Sequence, residues 1–493
     1  MVLDFNAARE LKAPLPNLVN GKWMASGDAA LPVMDPSGDR LIGYAQSATV
    51  GEVDAAVVAA DAALRAGPWR TMGAAARARL MFRLADLLEQ NVDTLAWLET
   101  LNTGRPLAVT RAGDVMASAD SLRYNAGWAT KLNGETRAPT GPGEWHAYTV
   151  REPIGVAALI VPWNVPLAIT VSKLGAALAA GCTVVIKPAE LTPLTAIKLG
   201  ELCIEAGFPP GVVNIVLGAG AVVGQALVDH PLVSKISFTG STAVGRSIVR
   251  SSAEHFKRVS LELGGKSPVF IFDDADLERA IPAAAMGIFV NTGQVCAAGS
   301  RLYVHGKVFD KVIEGVVSIA QSLRIGSGFD PATQLGPLIS QSQRTRVQDY
   351  VASGLREGAS VACGGEATAG AGYFFKPTVM IDTRMDMRMV REEIFGPVLS
   401  TFRFDDSHSL DDLAALANDS VYGLAAAVWS DNLRKALALA NRVTAGTVQI
   451  NTLVPPNPAI PFGGFKHSGL GRENGREGVE AFTELKSVVA QLH

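Results

Sequence analysis

From residue 154 onward, short runs of apolar, largely β-branched residues alternate with longer stretches whose apolar positions recur at helical spacing. Residues 154–161 (IGVAALIV), 183–187 (TVVIK), 212–216 (VVNIV) and 235–239 (KISFT) predict strands. Between them, 168–180, 193–206, 221 to about 230 and the stretch after Gly240 predict helices. Strands apolar throughout, with little polar alternation, belong to a parallel sheet covered on both faces. A strand-plus-helix unit repeating about every 20–25 residues is the mark of a doubly wound α/β domain.

A second series starts near Pro268: PVFIF, a helix from Asp276, LYVH, and a helix from Val308. Further strands are predicted at 378–381, 398–402, 425–429 and 446–450. Ahead of the first series, 53–66 and 74–101 read as helices with Ala/Leu-rich faces. Residues 134–151, rich in Gly, Pro and Thr, and the strand-like 485–492 fall outside both series. Exposed strand edges are usually covered, so a subunit interface is expected there. The expected division is one α/β domain from 1–130 and 154–262, a second from 263–475, and a small β extension from 131–153 and 476–493.

Composition narrows the class. A chain of 493 residues exceeds a single ordinary core, and 48% hydrophobic with 18% charged residues suits packed globular domains. A net charge of −3 gives no reason to expect nucleic acid or an anionic membrane as partner. Apolar runs such as 156–161 are too short for a membrane span, and the start lacks the basic and apolar regions of a secretory signal. Cys182, Cys203, Cys296 and Cys363 lack C-x-x-C spacing, so neither a metal site nor a disulfide framework is expected, and a reducing cytoplasm fits.

Several segments carry candidate chemistry. Cys296 lies in FVNTGQVCAAGS (289–300), where small neighbours leave room for a substrate and for backbone N–H groups to hold an oxyanion. Taken alone, a cysteine is more often a small core residue, the reading that Cys182, Cys203 and Cys363 receive. Glu262 ends an apolar run before a Gly-Gly pair in LELGGKSP (261–268), where a desolvated carboxylate can act as general base or a solvated one can simply end a strand. Asn164, in VPWNVP (161–166), is a neutral donor on a Pro-braced turn; the alternative is a turn-stabilising Asn. Two glycine-rich stretches compete for phosphate, GAGAVVG (218–224) and GSTAVG (240–245). In the second, Gly240, Ser241 and Gly245 open a helix whose free N–H groups favour an anion. The first departs from G-x-G-x-x-G by one position and lacks the acid expected about 20 residues on. Lys187 and Glu190, in KPAE, end a strand where ribose hydroxyls are commonly gripped.

Together these residues resemble the aldehyde dehydrogenase superfamily over nearly the whole chain. The matching segments run in order: NGKW (20–23), Asp35–Pro36, PWNVP, KPAE, FTGST, LELGGKSP, GQVC, EEIFGPV (392–398) and PFGGFKHSGLGRE (461–473). The resemblance implies that Cys296 is the nucleophile, Glu262 the general base and Asn164 the oxyanion-stabilising side chain. It implies cofactor contacts from Lys187, Glu190, Ser241, Gly240, Gly245, Trp163, Glu393 and Phe395, and it favours the Ser241 loop over the 218–224 loop as the pyrophosphate site. It further implies an NAD(P)-binding first domain, a catalytic second domain, and a homodimer or homotetramer paired through the β extension. The implied reaction oxidises an aldehyde to the acid through a thioester on Cys296.

The chain departs from many members of that superfamily at Thr292, where Gln is common, and at Ile169 and Ser172, where larger side chains are common. With Val165, Val290, Val295, Ala297 and Phe462 these predict an apolar, roomy pocket. No Arg or Lys stands at the pocket positions to grip a carboxylate, and no aromatic cage for a quaternary ammonium is visible. A neutral hydrophobic aldehyde, medium-chain or aromatic, is therefore expected. Glu190 would repel a 2′-phosphate, favouring NAD over NADP. A cofactor-independent cysteine esterase and a catalytically silent member of the fold are the rival readings. Neither accounts for Cys296, Glu262 and Asn164 together with KPAE and GSTAVG.

Overall fold

In the computed structural model, which describes residues 3–7, 9–25, 30–454 and 457–492, the apolar runs form the centres of two separate sheets. In the first, Val156–Ile160 lies in the middle. Thr183–Lys187 and then Val213–Ile215 flank it on one side, Val233–Thr239 and then Arg258–Glu262 on the other, all parallel. The winding therefore reverses between Val156–Ile160 and Val233–Thr239, which opens a crevice at the carboxyl ends of the strands. Antiparallel edges close the sheet: Asn17–Val19 with Lys22–Met24 at one end, Gly469–Leu470 at the other.

Both faces of this sheet are packed, which is why its strands read as continuous apolar runs. Ala157, Leu159, Val184, Ile186 and Ile215 enter one core cluster; Val156, Ala158, Ile160, Val185 and Ile236 enter another. The second sheet repeats the scheme. Its strands Pro268–Ile271, Arg301–His305, Thr378–Ile381, Val398–Phe404, Ala425–Trp429 and Thr447–Ile450 are parallel, and Ser360–Cys363 pairs antiparallel at one edge. The α/β class with two doubly wound sheets is the one the periodicity predicts. Cys182, Cys203 and Cys363 are buried, as their apolar settings suggest.

The two strand-like pieces outside the series pair with each other. Thr483–Leu492 runs antiparallel to Glu144–Pro153, with Thr136–Arg137 on the far side. Most of the residues in this small sheet are exposed or half-buried.

Three readings need correction. The helix expected over 74–101 is two helices, Ala74–Gln90 and Val92–Thr103. Asn91 leaves helical geometry between them, and its amide turns back to Leu87 O at 2.9 Å. The hairpin of Ala30–Asp35 and Arg40–Gln46 carries no strong alternation and was not predicted. Nor was the helix Gln341–Arg356, whose surface is largely polar. Among the described residues no helix is long and apolar enough to cross a membrane.

Candidate active site

Helix Leu277–Phe289 ends just before the cysteine loop, and the chain then takes a turn that few side chains tolerate. Asn291, Thr292 and Gly293 are all left-handed, with φ of 52°, 55° and 71°. A Cβ on Gly293 would lie 2.1 Å from Gly396 C, so only glycine fits there. Two consecutive non-glycine residues in this region carry a conformational cost that the surroundings must offset. The offset is a set of amide hydrogen bonds. Asn291 Nδ2 donates to Asn164 O at 3.0 Å and to Gln294 O at 3.1 Å. Asn164 Nδ2 donates back to Gln294 O at 3.0 Å. Gln294 Oε1 accepts from Ile339 N at 2.8 Å, and the Thr292 hydroxyl donates to Gly336 O at 2.8 Å. Asn164 is thus buried and held against the Cys296 loop, with one amide N–H committed and a second without a hydrogen-bond acceptor among the described residues.

The glycines after Glu262 explain themselves geometrically. A Cβ on Gly265 would lie 2.4 Å from Cys296 O, and one on Gly264 would lie 2.4 Å from Glu393 Oε2. The Gly-Gly pair therefore lets the cysteine loop and the Glu393 carboxylate lie against the strand end that carries Glu262. Glu393 Oε1 accepts from Gly265 N at 3.0 Å. Its loop is held from the unpredicted helix: Gln343 Nε2 donates to Phe395 O at 2.8 Å and Arg346 Nη2 to Glu393 O at 2.6 Å.

Electrostatics set the resting state. Burial pushes the half-buried Cys296 thiol up to about 12; the Glu262 and Glu393 charges add to this, and the N–H groups of Ala297 and Cys296 oppose it. Burial also holds Glu262 well above the usual carboxylate range, aided by the Glu473 charge and opposed by Lys173 and Arg472. Glu262 Oε2 is buried without a hydrogen-bond partner among the described residues. Nearby, Lys173 Nζ contacts Glu473 and donates to Ser237 Oγ at 2.9 Å. This polar cluster was missed in the sequence. Lys173 alone left a trace, as a single charge inside an apolar helix.

The cofactor-type residues gather at the carboxyl edge of the first sheet. Lys187 is buried, its Nζ donating to Pro188 O at 2.9 Å and standing 3.4 Å from Glu190 Oε2. Burial lowers its pKa and Glu190 counters. Ser241 is the N-cap of helix Thr242–Ser252, its hydroxyl accepting from Val244 N at 3.4 Å while the residue stays exposed. Gly240 N donates to Glu262 O at 3.0 Å, which ties that helix start to the Glu262 strand; a Cβ on Gly245 would meet Leu263 at 2.7 Å. The rival glycine loop lies close by: a Cβ on Gly224 would stand 3.6 Å from Lys187 Cδ. Trp163 and Phe395 meet edge to face, ring centroids 5.2 Å apart, which brings the first and second sheets' loops together.

The pocket residues divide. Val165, Ile169, Ala297 and Phe462 are half-buried and Val290 is exposed. Val295 packs against the core beneath the second sheet, and the Ser172 hydroxyl is bonded to Asn474 Oδ1 at 2.9 Å. Among the described residues the group best placed to offer metal ligands is Asp273, His305 and Asp406. There the Lys307 ammonium already lies 3.1 Å from Asp273 and 2.9 Å from Asp406.

A family model described as the aldehyde dehydrogenase family matches residues 23–488. The chain belongs to the aldehyde dehydrogenase family. Phenylacetaldehyde dehydrogenase of Pseudomonas fluorescens is 45% identical over 486 residues, covering 97% of this chain and 96% of that protein. A mitochondrial aldehyde dehydrogenase of Rattus norvegicus is 44% identical, covering 99% and 95%. Among solved structures, the NAD+ complex of an aldehyde dehydrogenase from Bacillus cereus superposes with a TM-score of 0.96 at 43% identity, each chain covered in full (100%).

Proposed function

We propose that this member of the aldehyde dehydrogenase family oxidises a neutral, hydrophobic aldehyde to its carboxylic acid with NAD, using Cys296 as nucleophile, Asn164 as oxyanion donor and Glu262 as general base. The observation that carries the reading is the left-handed turn at 291–293, which ties the Cys296 loop to Asn164 and lays it over Gly265 beside Glu262.

The residues present suit NAD. Lys187 and Glu190 offer a cation and an acceptor for ribose hydroxyls, and the exposed start of helix Thr242–Ser252 offers N–H groups and Ser241 to a pyrophosphate. Gly240 and Gly245 let that helix start lie against the strands beneath it. Trp163, Phe395 and the half-buried Glu393 border the place where a nicotinamide ribose and ring would lie. When bound, NAD supplies the acceptor for hydride. The exposed Glu190 carboxylate disfavours a 2′-phosphate, so NADP is the poorer cofactor.

The protein's own part is nucleophilic and electrostatic. The Cys296 thiol gives its proton to solvent water, the resulting thiolate attacks the carbonyl carbon, and the oxyanion is received by the Asn164 amide N–H and the Cys296 N–H. After oxidation the acyl group is a thioester on Cys296. Glu262, held well above the usual carboxylate range by burial, takes a proton from water, which adds to the thioester and releases the acid. Val165, Ile169, Ala297, Val290 and Phe462 form the substrate wall; Val295 and Ser172 act behind it.

The first sheet with its helices serves as the cofactor domain and the second as the catalytic domain. The exposed strands Glu144–Pro153 and Thr483–Leu492 serve as the pairing surface of a homodimer or homotetramer. Four free thiols suit a reducing cytoplasm.

A kinetic panel following NADH formation tests the reading. Hexanal and benzaldehyde are expected to exceed succinate semialdehyde and betaine aldehyde, and Cys296→Ala to lose at least about 10³-fold in kcat. Equal NAD reduction by wild type and Cys296→Ala, or preference for the charged aldehydes, would overturn it.

A further inference from the structure

Two helices that begin beside the site lack an N-terminal cap of their own. Helix Pro166–Ala180, which follows Asn164, has Val165 at its N-cap and no side-chain bond there. Helix Leu194–Ala206, which follows the Lys187–Glu190 segment, has Pro193 at its N-cap and none there either. First-turn N–H groups have no partner inside their own helix and must be satisfied from outside.

Both partners come from a third helix, Val92–Thr103. Glu99 is buried, and Oε1 accepts from Leu167 N at 3.1 Å while Oε2 accepts from the Thr195 hydroxyl at 2.8 Å. Asn102, one turn on, accepts from Leu194 N at 3.3 Å and donates to Leu191 O at 2.8 Å. A buried carboxylate is costly unless its oxygens are satisfied, and here the donors that satisfy them stand at two helix starts, where a negative charge is also favoured by the dipoles.

We propose that Glu99, with Asn102, is a positioning residue: it ties the turn carrying Trp163 and Asn164 to the loop carrying Glu190, and so sets the oxyanion amide relative to the cofactor grip. The inference rests on the functional reading above. It makes one side chain answerable for two parameters that separate contacts would otherwise govern, carbonyl polarisation and NAD affinity.

The test compares Glu99→Ala, Glu99→Gln and Asn102→Ala in the intact enzyme. It measures kcat, both KM values, calorimetric NAD binding and the rate at which iodoacetamide alkylates Cys296. Glu99→Ala is expected to lower kcat by roughly 10- to 100-fold, because small misplacement of a reacting group costs that much. It should also weaken NAD binding by about five- to tenfold, the scale of one lost hydrogen bond, with Cys296 alkylation close to wild type. Gln keeps an acceptor for Leu167 N and meets Thr195 with its amide, so Glu99→Gln should restore most of both losses. Asn102→Ala should weaken NAD binding more than it lowers kcat. A Glu99→Gln variant as impaired as Glu99→Ala, or a Glu99→Ala variant with a lower melting temperature but wild-type kcat and NAD affinity, overturns the proposal. If Glu99→Ala does not fold, unchanged NAD affinity in Asn102→Ala overturns it. A wild type that reduces no NAD with any aldehyde instead removes the functional reading and this inference with it. Wild-type turnover without the expected split removes only the positioning role.

Discussion

Glu262 and Glu99 are the same residue in similar seclusion, 4% and 1% exposed, yet their oxygens are satisfied in opposite ways. Burial is the largest cause raising both carboxyl groups. Around Glu99 the oxygens are both taken, by Leu167 N and Thr195, and the group is raised to about 7, with Asp114 adding to the shift and Arg105 opposing it. Around Glu262 one oxygen has no protein partner, and the nearest charges are Glu473 on one side and Lys173 and Arg472 on the other. Desolvation alone does not make a base. A carboxylate whose lone pairs are filled becomes a strut; one left with an open lone pair beside a nucleophile can move a proton.

The largest test of that contrast is Glu262→Gln, which removes the open lone pair's basicity at little change in shape. Steady-state turnover is expected to fall by roughly 10²–10⁴-fold while a first burst of NADH survives, because only thioester hydrolysis is stopped. A variant with neither burst nor turnover would show Glu262 to be a structural group like Glu99. Next in size is the stability of the strut: Glu99→Ala should lose about 1–3 kcal/mol in denaturant titration, since donors are left unpaired in the interior. Glu262→Gln should lose much less.

A smaller effect separates the pair by pH. Glu99 sits at about 7 when folded, above its ordinary value, so the folded protein holds a proton the unfolded chain has released. Its contribution to stability is therefore full below the unfolded value and is lost as pH rises through about 7. Asp114, also raised by burial, acts in the same sense, and Arg105 opposes it. Glu99→Gln should accordingly gain stability relative to wild type between about pH 5 and about pH 8. A flat difference across that range would mean that Glu99 stays ionised. The least effect is expected at the exposed helix start. Ser241→Ala should cost about 0.5–1 kcal/mol as a lost cap and raise KM for NAD a few-fold, with kcat for a saturating aldehyde little changed.

How much of this was legible depends on whether the cause was local. The strands were readable because each face of both sheets is buried, which writes burial into consecutive residues. Glu262 and its glycines left a local trace, because the strand end, the carboxylate and the Gly-Gly turn share one short segment, but the groups that approach those glycines, Glu393 and Cys296, come from elsewhere in the chain. Glu99 was not. In LETLNTGR it carries a charge at helical spacing, which reads as a solvent-facing position, and only Leu167 and Thr195, distant along the chain, make it an interior one. Glu473 and Lys173 have the same difficulty across 300 positions. The helix Gln341–Arg356 was missed because few of its side chains enter the core, although Gln343 and Arg346 hold the Glu393–Phe395 loop. Asn91 could have been taken as a helix break from its turn-forming chemistry alone.

The turn at Asn291, Thr292 and Gly293 also bears on how this enzyme can change. Gly293 admits no side chain, and Asn291 and Gln294 are committed to hydrogen bonds that hold Asn164 and the Cys296 loop together. Variation that reaches this wall damages the chemistry before it alters preference. In the proposed pocket the side chains of Val165, Ile169 and Phe462 take part in none of these bonds, so adaptation to a new aldehyde, in the laboratory or in a lineage, is expected to find its freedom there.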